Sequence, residues 1–404
     1  MNAVGIDVSK GKSTIAILRP FGEVVAAPFE VTHTDDELRK LTARLRDLSG
    51  ETRVIMECTG TYYQPIAYGL HDEGFFVSAV HAQLIHDFGN NTIRKVKTDK
   101  ADAIKIANYG LTHWLELPRY YPEEDVRRQL KAYSRQYNKY CKLKTMLKNN
   151  FITLTDQTFP GVNGLFTSPP RPSDGHQKWI DFTAKFWHCE CVCGLSMKAF
   201  TQRYQKWCKR YGYHFSSAKT ENIYILSCGH IGILPKNEST KLLITLAVAQ
   251  LNAVLESLAS IAAEMKRLAA LLPEYPVVSD FYGVGDILGP QLMAEIGDIY
   301  RFHHKGSLVR FAGLEPPEHQ SGKFVAESRS ISKQGSPHLR KTLFQIMDCL
   351  LKTSPSNDPV YQFLDRKRAE GKHYYNYMTA GCAKFLRIYY ARVKEYLDSL
   401  VSGA

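Results

Sequence analysis

The sequence predicts an α/β domain followed by a longer, mainly helical remainder. Three observations carry this expectation. Short β-type runs crowd the first 118 residues, helical spacing of leucines dominates later stretches, and charge is unevenly divided. The chain of 404 residues carries 52 lysines and arginines against 40 aspartates and glutamates, a formal net charge of +12. Residues 1–118 hold 13 basic and 15 acidic side chains, net −2, which leaves +14 on 119–404. A near-neutral first part joined to a strongly basic remainder suggests chemistry in one and polyanion binding in the other. Three domains are expected, over 1–118, 119–272 and 273–404.

Several classes drop out. Apolar residues are 44% and charged residues 23%, as in soluble globular proteins. The start, MNAVGIDVSK, lacks a basic-then-apolar signal pattern, so secretion is not expected and a cytoplasmic location is. Leu242–Ala263, the most apolar long stretch, is interrupted by Gln250, Asn252 and Glu256 and does not read as a membrane span. Nine scattered cysteines point to reduced thiols rather than a disulfide framework.

Residues 3–8 (AVGIDV) and 13–18 (STIAIL) read as strands separated by the Lys10-Gly11-Lys12 turn, and Pro20-Phe21-Gly22 turns the chain into Val24–Val31. Three strands at this spacing read as an antiparallel meander. Asp35–Leu48 has helical spacing of Leu38, Leu41, Leu45 and Leu48, opened by Thr34 as N-cap. A short apolar strand, Val54-Ile55-Met56, ends in Glu57-Cys58-Thr59-Gly60. A helix over Tyr62–Glu73, a strand over Phe75–Val80 and helices near Ala82–Asn90 and Asp99–Leu111 complete an order, βββαβαβα, that is the order of the ribonuclease-H-like fold.

That order assigns the acids a shared place. Asp7 lies in the first strand and Glu57 ends the fourth, its neighbour in such a sheet. Asp99 and Asp102, three apart at a helix start, face one side. Singly, each reads as a turn-bonding residue or a helix cap. Together, four carboxylates repel unless a divalent cation neutralises them, and oxygen-only ligands suit Mg2+ or Mn2+ rather than zinc. Such ions clamp the attacking and leaving oxygens of a phosphodiester displacement. Sugar kinases and actin-like ATPases also begin with a Gly-Ile-Asp run, but they need phosphate loops that this chain lacks.

From Arg127 to Lys148 run eight basic residues and no acid: Arg127, Arg128, Lys131, Arg135, Lys139, Lys142, Lys144 and Lys148. Tyr133, Tyr137 and Tyr140 interleave with them. Such a helix face is expected to hold phosphates in a salt-dependent, sequence-blind way, with tyrosines able to stack on unpaired bases. Residues 153–235 read poorly. Pro160, Pro169, Pro170 and Pro172 suggest a loop-rich entry, and Cys189-Glu190-Cys191-Val192-Cys193 lacks the two-residue spacing of zinc knuckles, so buried thiols are expected and zinc is not. Ser239–Leu272 is continuously helical, able to pair with the basic helix as a coiled coil or with another protomer.

Phe281-Tyr282-Gly283-Val284-Gly285 and the following Gly289 look like a helix-hairpin-helix, with Gly283 and Gly285 exposing N–H groups to phosphate. A plain turn between core helices is the alternative. Ser321 sits among glycines, prolines and the cations Lys323, Arg329, Lys333 and Arg340, which could stabilise charge in phosphoryl transfer. Taken alone, its Ser-Gly is an ordinary turn.

In order, GIDVSK, MECTG, KTDKADA, YGVGDILGPQLMAEIGD, FAGLEPPEHQSGK and ISKQGSPHLRK resemble the insertion-sequence-110 transposase family. The resemblance spans about 1–150 and 275–404. It implies a RuvC-like N-terminal domain bearing a DEDD tetrad, here Asp7, Glu57, Asp99 and Asp102, and a C-terminal transposase domain bearing a catalytic serine, here Ser321. It also implies a bridge RNA that pairs with donor and target DNA, and a homo-oligomer, dimer to tetramer, joining the carboxylates of one protomer with the serine of another. The expected function is therefore RNA-guided DNA recombination through a phosphoserine intermediate, without a membrane. The alternatives are a metal-dependent Holliday-junction-type endonuclease without a covalent intermediate, and a non-catalytic RNA-binding protein.

Overall fold

The computed structural model describes residues 1–58, 60–88, 98–171, 174–317, 320–321, 324–325 and 330–402, with the backbone alone at 320–321 and 324–325. They form two compact units, Met1–Glu123 and Glu124–Ala404. The first is a mixed α/β unit, and the second is almost wholly helical.

In the first unit, β1 (Asn2–Val8), β2 (Lys12–Arg19) and β3 (Glu23–Thr32) form the antiparallel meander, and α1 (Asp35–Arg46) follows, capped by Thr34. The chain then crosses back to lay β4 (Thr52–Glu57) parallel to β1, and α2 (Gln64–Asp72) leads to β5 (Phe76–Val80), parallel to β4. The sheet order is β3-β2-β1-β4-β5. After α3 (Ala82–Phe88), α4 (Asp99–Thr112) packs on the sheet. Two apolar layers result. Val4, Ile6, Ile15 and Ile17 face α1 and α2, while Ala3, Leu18 and Ile55 face α4. This is the alternation that a sheet covered on both faces requires.

The second unit is built on two long helices. α5 (Asp125–Thr158) has 34 residues, about 51 Å at 1.5 Å per residue, and packs lengthwise against α10 (Glu238–Ala269). Their directions are opposed. Arg127, near the start of α5, reaches Glu274 beyond the end of α10, whereas Phe151 shares a core with Ile244 and Leu251 near its beginning. By length and composition α10 could cross a membrane, the one such helix among the described residues. Much of its apolarity is used in packing, since Ile244, Val248, Leu251, Leu255 and Leu258 are buried.

Between these arms, α6 (Lys178–Lys185), α7 (Glu190–Cys193), α8 (Met197–Tyr211) and α9 (Ser217–Gly229) form a small helical subdomain. Only its entry is loop-like; the rest closes on an aromatic core of Phe159, Phe182, Phe186, Phe200, Tyr204 and Trp207. Cys189 and Cys208 are buried there, Cys191 and Cys193 half-buried and Cys228 exposed. Beyond α10 come α11 (Tyr275–Ser279), α12 (Leu288–Ile296), α13 (Lys305–Phe311), a two-residue ladder of β6 (Gln320–Ser321) and β7 (Phe324–Val325), and then α14 (Pro337–Thr353), α15 (Pro359–Ala369) and α16 (Tyr374–Ser402). Residues 289–296 of α12 are all buried, so it is the central strut of this core.

Candidate active site and nucleic-acid-binding surfaces

Asp7 and Glu57 meet because of strand register. Ile6 lies opposite Met56 in the parallel β1–β4 pair, so the next residue on each strand, Asp7 and Glu57, arrives at the same sheet end and on the same face. The other two acids come on α4. Its N-cap Thr98 accepts a hydrogen bond from the Ala101 N–H, which fixes the first turn that carries Asp99 and Asp102. The helix lies close over β1 because Gly5 has no side chain. A Cβ at Gly5 would stand 2.2 Å from the Ala103 carbonyl oxygen and 2.4 Å from the Ala107 nitrogen. Gly110 allows the same approach to Ile55.

The acids sense one another. Burial, and then the charges of Asp102, Asp99 and Glu57, raise the Asp7 carboxyl from 3.8 to about 6. Burial and then Asp102 also push Glu57 up, while Lys105, His81 and His86 draw it back. Those three residues were not singled out from the sequence. The available signal was position: His81 follows the end of β5, and Lys105 stands three residues after Asp102 on α4. Mutual repulsion of this kind makes added positive charge beside the carboxylates favourable.

Among the described residues, no group of three His, Cys, Asp or Glu side chains is placed to hold a metal ion by itself. The acids thus form an open cluster rather than a closed cage. Magnesium fits such a donor set, because it commonly takes one or two carboxylates and completes its octahedron with water and substrate phosphates.

The residues expected to contact nucleic acid divide into two groups. Arg127 is buried, and its guanidinium is held by both oxygens of the buried Glu274, at 2.5 and 3.1 Å. Its charge is committed inside the fold and does not reach a phosphate. Arg135 bonds the buried Glu295 at 3.2 Å, whose other oxygen accepts from the Ser336 hydroxyl at 2.8 Å. Arg128 pairs with Asp125, and Lys131 is half-buried. Lys139 and Lys142 are exposed. Of the tyrosines, Tyr137 and Tyr140 pack against the core, and Tyr133 is exposed.

Gly283 is left-handed (φ 75°), and a Cβ there would lie 2.9 Å from the Ile346 carbonyl oxygen, so packing on α14 requires glycine. Gly285 is exposed, with open space around it. The backbone of Ser321 pairs with Phe324; Lys323 and Arg329 lie outside the described residues. Lys333 is exposed in a left-handed conformation, its N–H donating to Gly313. Arg340 donates to the carbonyls of Ala312 and Gly335 at 3.0 and 3.2 Å, bracing the loop before α14.

Two family models match the chain in order. Residues 4–160 match the DEDD transposase model of the IS110 type, and residues 276–362 match the transposase model of the IS116/IS110/IS902 family. The chain is similar to a pilin gene-inverting protein of Moraxella bovis, 23% identical over 345 residues, covering 85% of this chain and 80% of that one. It is also similar to the transposase for insertion sequence element IS1111A of Coxiella burnetii, 34% identical over 89 residues, covering 22% and 24%. These matches define a transposase, an enzyme that cuts and rejoins DNA. The chain belongs to the IS110 transposase family.

Proposed function

We propose that this transposase is an RNA-guided recombinase that exchanges strands between donor and target DNA through a phosphoserine intermediate. The observation that carries the reading is the arrival of Asp7 and Glu57 at one sheet end, with Asp102 and Asp99 near enough that their charges, after burial, help lift Asp7 to about 6. The Met1–Glu123 unit is read as a RuvC-like, ribonuclease-H-like nuclease domain, supported by its sheet order of β3-β2-β1-β4-β5 with β4 and β5 parallel to β1. A magnesium or manganese ion held among Asp7, Glu57, Asp99 and Asp102 by one or two carboxylates at a time, its remaining positions filled by water and phosphate, would neutralise charge developing on the scissile phosphate. The acids would hold that ion beside the phosphate rather than touch the phosphate themselves. The Ser321 Oγ gives its proton to solvent water and attacks phosphorus, one strand P–O bond breaks, and the departing oxygen takes a proton back from solvent. A hydroxyl of the other DNA then attacks the phosphoserine, forming the new strand and restoring the serine. Sequence choice falls to a bridge RNA by base pairing, while the protein grips backbone and shape. It works as a dimer to tetramer in the cytoplasm.

The test uses Ser321→Ala in the purified full chain with its RNA and DNA. Covalent protein–DNA adducts should vanish while RNA binding persists. Adducts that survive in this variant would remove Ser321 as the nucleophile.

A further inference from the structure

The subdomain between α5 and α10 contains an open cavity of about 630 Å³, within the range of ligand sites. Five cations border it: Lys185 at the end of α6, Arg203, Lys206 and Arg210 on α8, and Lys236 before α10. Arg203, Lys206 and Arg210 are exposed and spaced at i, i+3 and i+7, so one face of α8 carries them all. The adjoining face buries Phe200, Tyr204, Trp207 and Cys208 in the aromatic core.

None of the five cations is ion-paired among the described residues. Lys236 reaches only the Glu190 carbonyl oxygen, at 3.4 Å. Glu190 is the one carboxylate on the rim. Convergent unpaired charge of this kind makes a positive potential that attracts an anion.

The walls add a second feature. Trp207 lines the cavity, stacked on Tyr204 at 5.7 Å and on Tyr213 at 5.2 Å. Tyr211, 40% exposed at the same cavity, lies 5.5 Å from Trp207. A buried aromatic stack thus ends in a partly open ring beside the cations. Phosphate-binding charge next to a ring is the pairing that captures unpaired nucleotides, since every base has a π-face and duplex bases are already stacked.

We infer that this cavity binds an unpaired stretch of nucleic-acid strand, its phosphates on Arg203, Lys206 and Arg210 and a base against Tyr211. The inference rests on the reading above that the chain holds nucleic acid, and it adds a second binding place, separate from the basic face of α5.

The test measures binding of a short labelled single-stranded oligoribonucleotide to the full chain across salt concentrations. Arg203→Gln/Lys206→Gln/Arg210→Gln replaces exposed residues, and melting curves check that it folds. Its affinity should fall about tenfold or more, and its log–log salt slope should drop by about 2, at roughly 0.7 per phosphate contact. Tyr211→Ala should lose about fivefold or more in affinity with the slope unchanged. Wild-type affinity and slope in the triple variant would overturn the inference. A blunt duplex or a mononucleotide displacing the strand as well as unlabelled strand does would overturn it too. A wild-type chain that binds no strand defeats both this inference and the functional reading. Strand cleavage that survives Asp102→Asn defeats only the latter.

Discussion

Gly5 of β1 and Ala103 of α4 are in backbone-to-backbone contact so close that a Cβ at Gly5 would stand 2.2 Å from the Ala103 carbonyl oxygen. This contact seats α4 on the sheet and so carries Asp99 and Asp102 to the end where Asp7 and Glu57 lie. A glycine two residues before the first acid is therefore part of the acid cluster's architecture.

Gly5→Ala should push α4 off β1. Overpacking at such a contact costs about 1–3 kcal/mol, visible in denaturant unfolding. Cleavage activity should fall further than the stability loss explains, because two of the four acids move. A variant with full activity would show that the acids do not depend on this seating.

Asp99→Asn and Asp102→Asn should each remove magnesium-dependent strand cleavage by roughly a hundredfold, about 3 kcal/mol of transition-state stabilisation. Folding should be little affected, since each substitution relieves repulsion on Asp7. Cleavage assays paired with melting curves separate the two effects. Undiminished cleavage would remove the acids from the chemistry.

Asp7 ties stability to pH. It holds its proton to about pH 6 in the fold but only to 3.8 in the unfolded chain. Between those values the folded state binds more protons, so stability declines as pH rises through them. Asp7→Asn has no such titration. In EDTA its melting-temperature advantage should be absent below pH 3.8 and level off above about pH 6. An offset that is constant with pH would contradict this.

The arginines and lysines of α5 should separate by role. Arg127→Ala leaves Glu274 buried and unpaired, which costs about 3–5 kcal/mol, with no change in the salt dependence of nucleic-acid binding. Lys139→Ala/Lys142→Ala should change stability by about 0.5 kcal/mol or less and lower the salt slope by about 1.4–1.8. A reversed pattern would put the phosphate contacts on Arg127.

Much of the first unit was legible because its signals are local. Turns at Lys10-Gly11-Lys12 and Pro20-Phe21-Gly22 separate the three strands, and Thr34 caps α1 as its sequence suggests. The basic run over 127–148 read correctly as a helix and misleadingly as one uniform face. Charge counts are blind to which side a helix buries, and the partner of Arg127 lies 147 residues away. Residues 153–235 resisted reading for a related reason. Their helices are short and depend on an aromatic core gathered from Phe159 to Trp207, which carries little periodicity.

By itself the sequence determined the strands and long helices and the uneven charge, because propensity, capping and composition act over a few residues. Tertiary structure alone decided that Gly5 admits α4, that Arg127 is sealed against Glu274, and that five cations surround one cavity. Register and packing join residues far apart in the chain, and a linear pattern does not encode the distances between them.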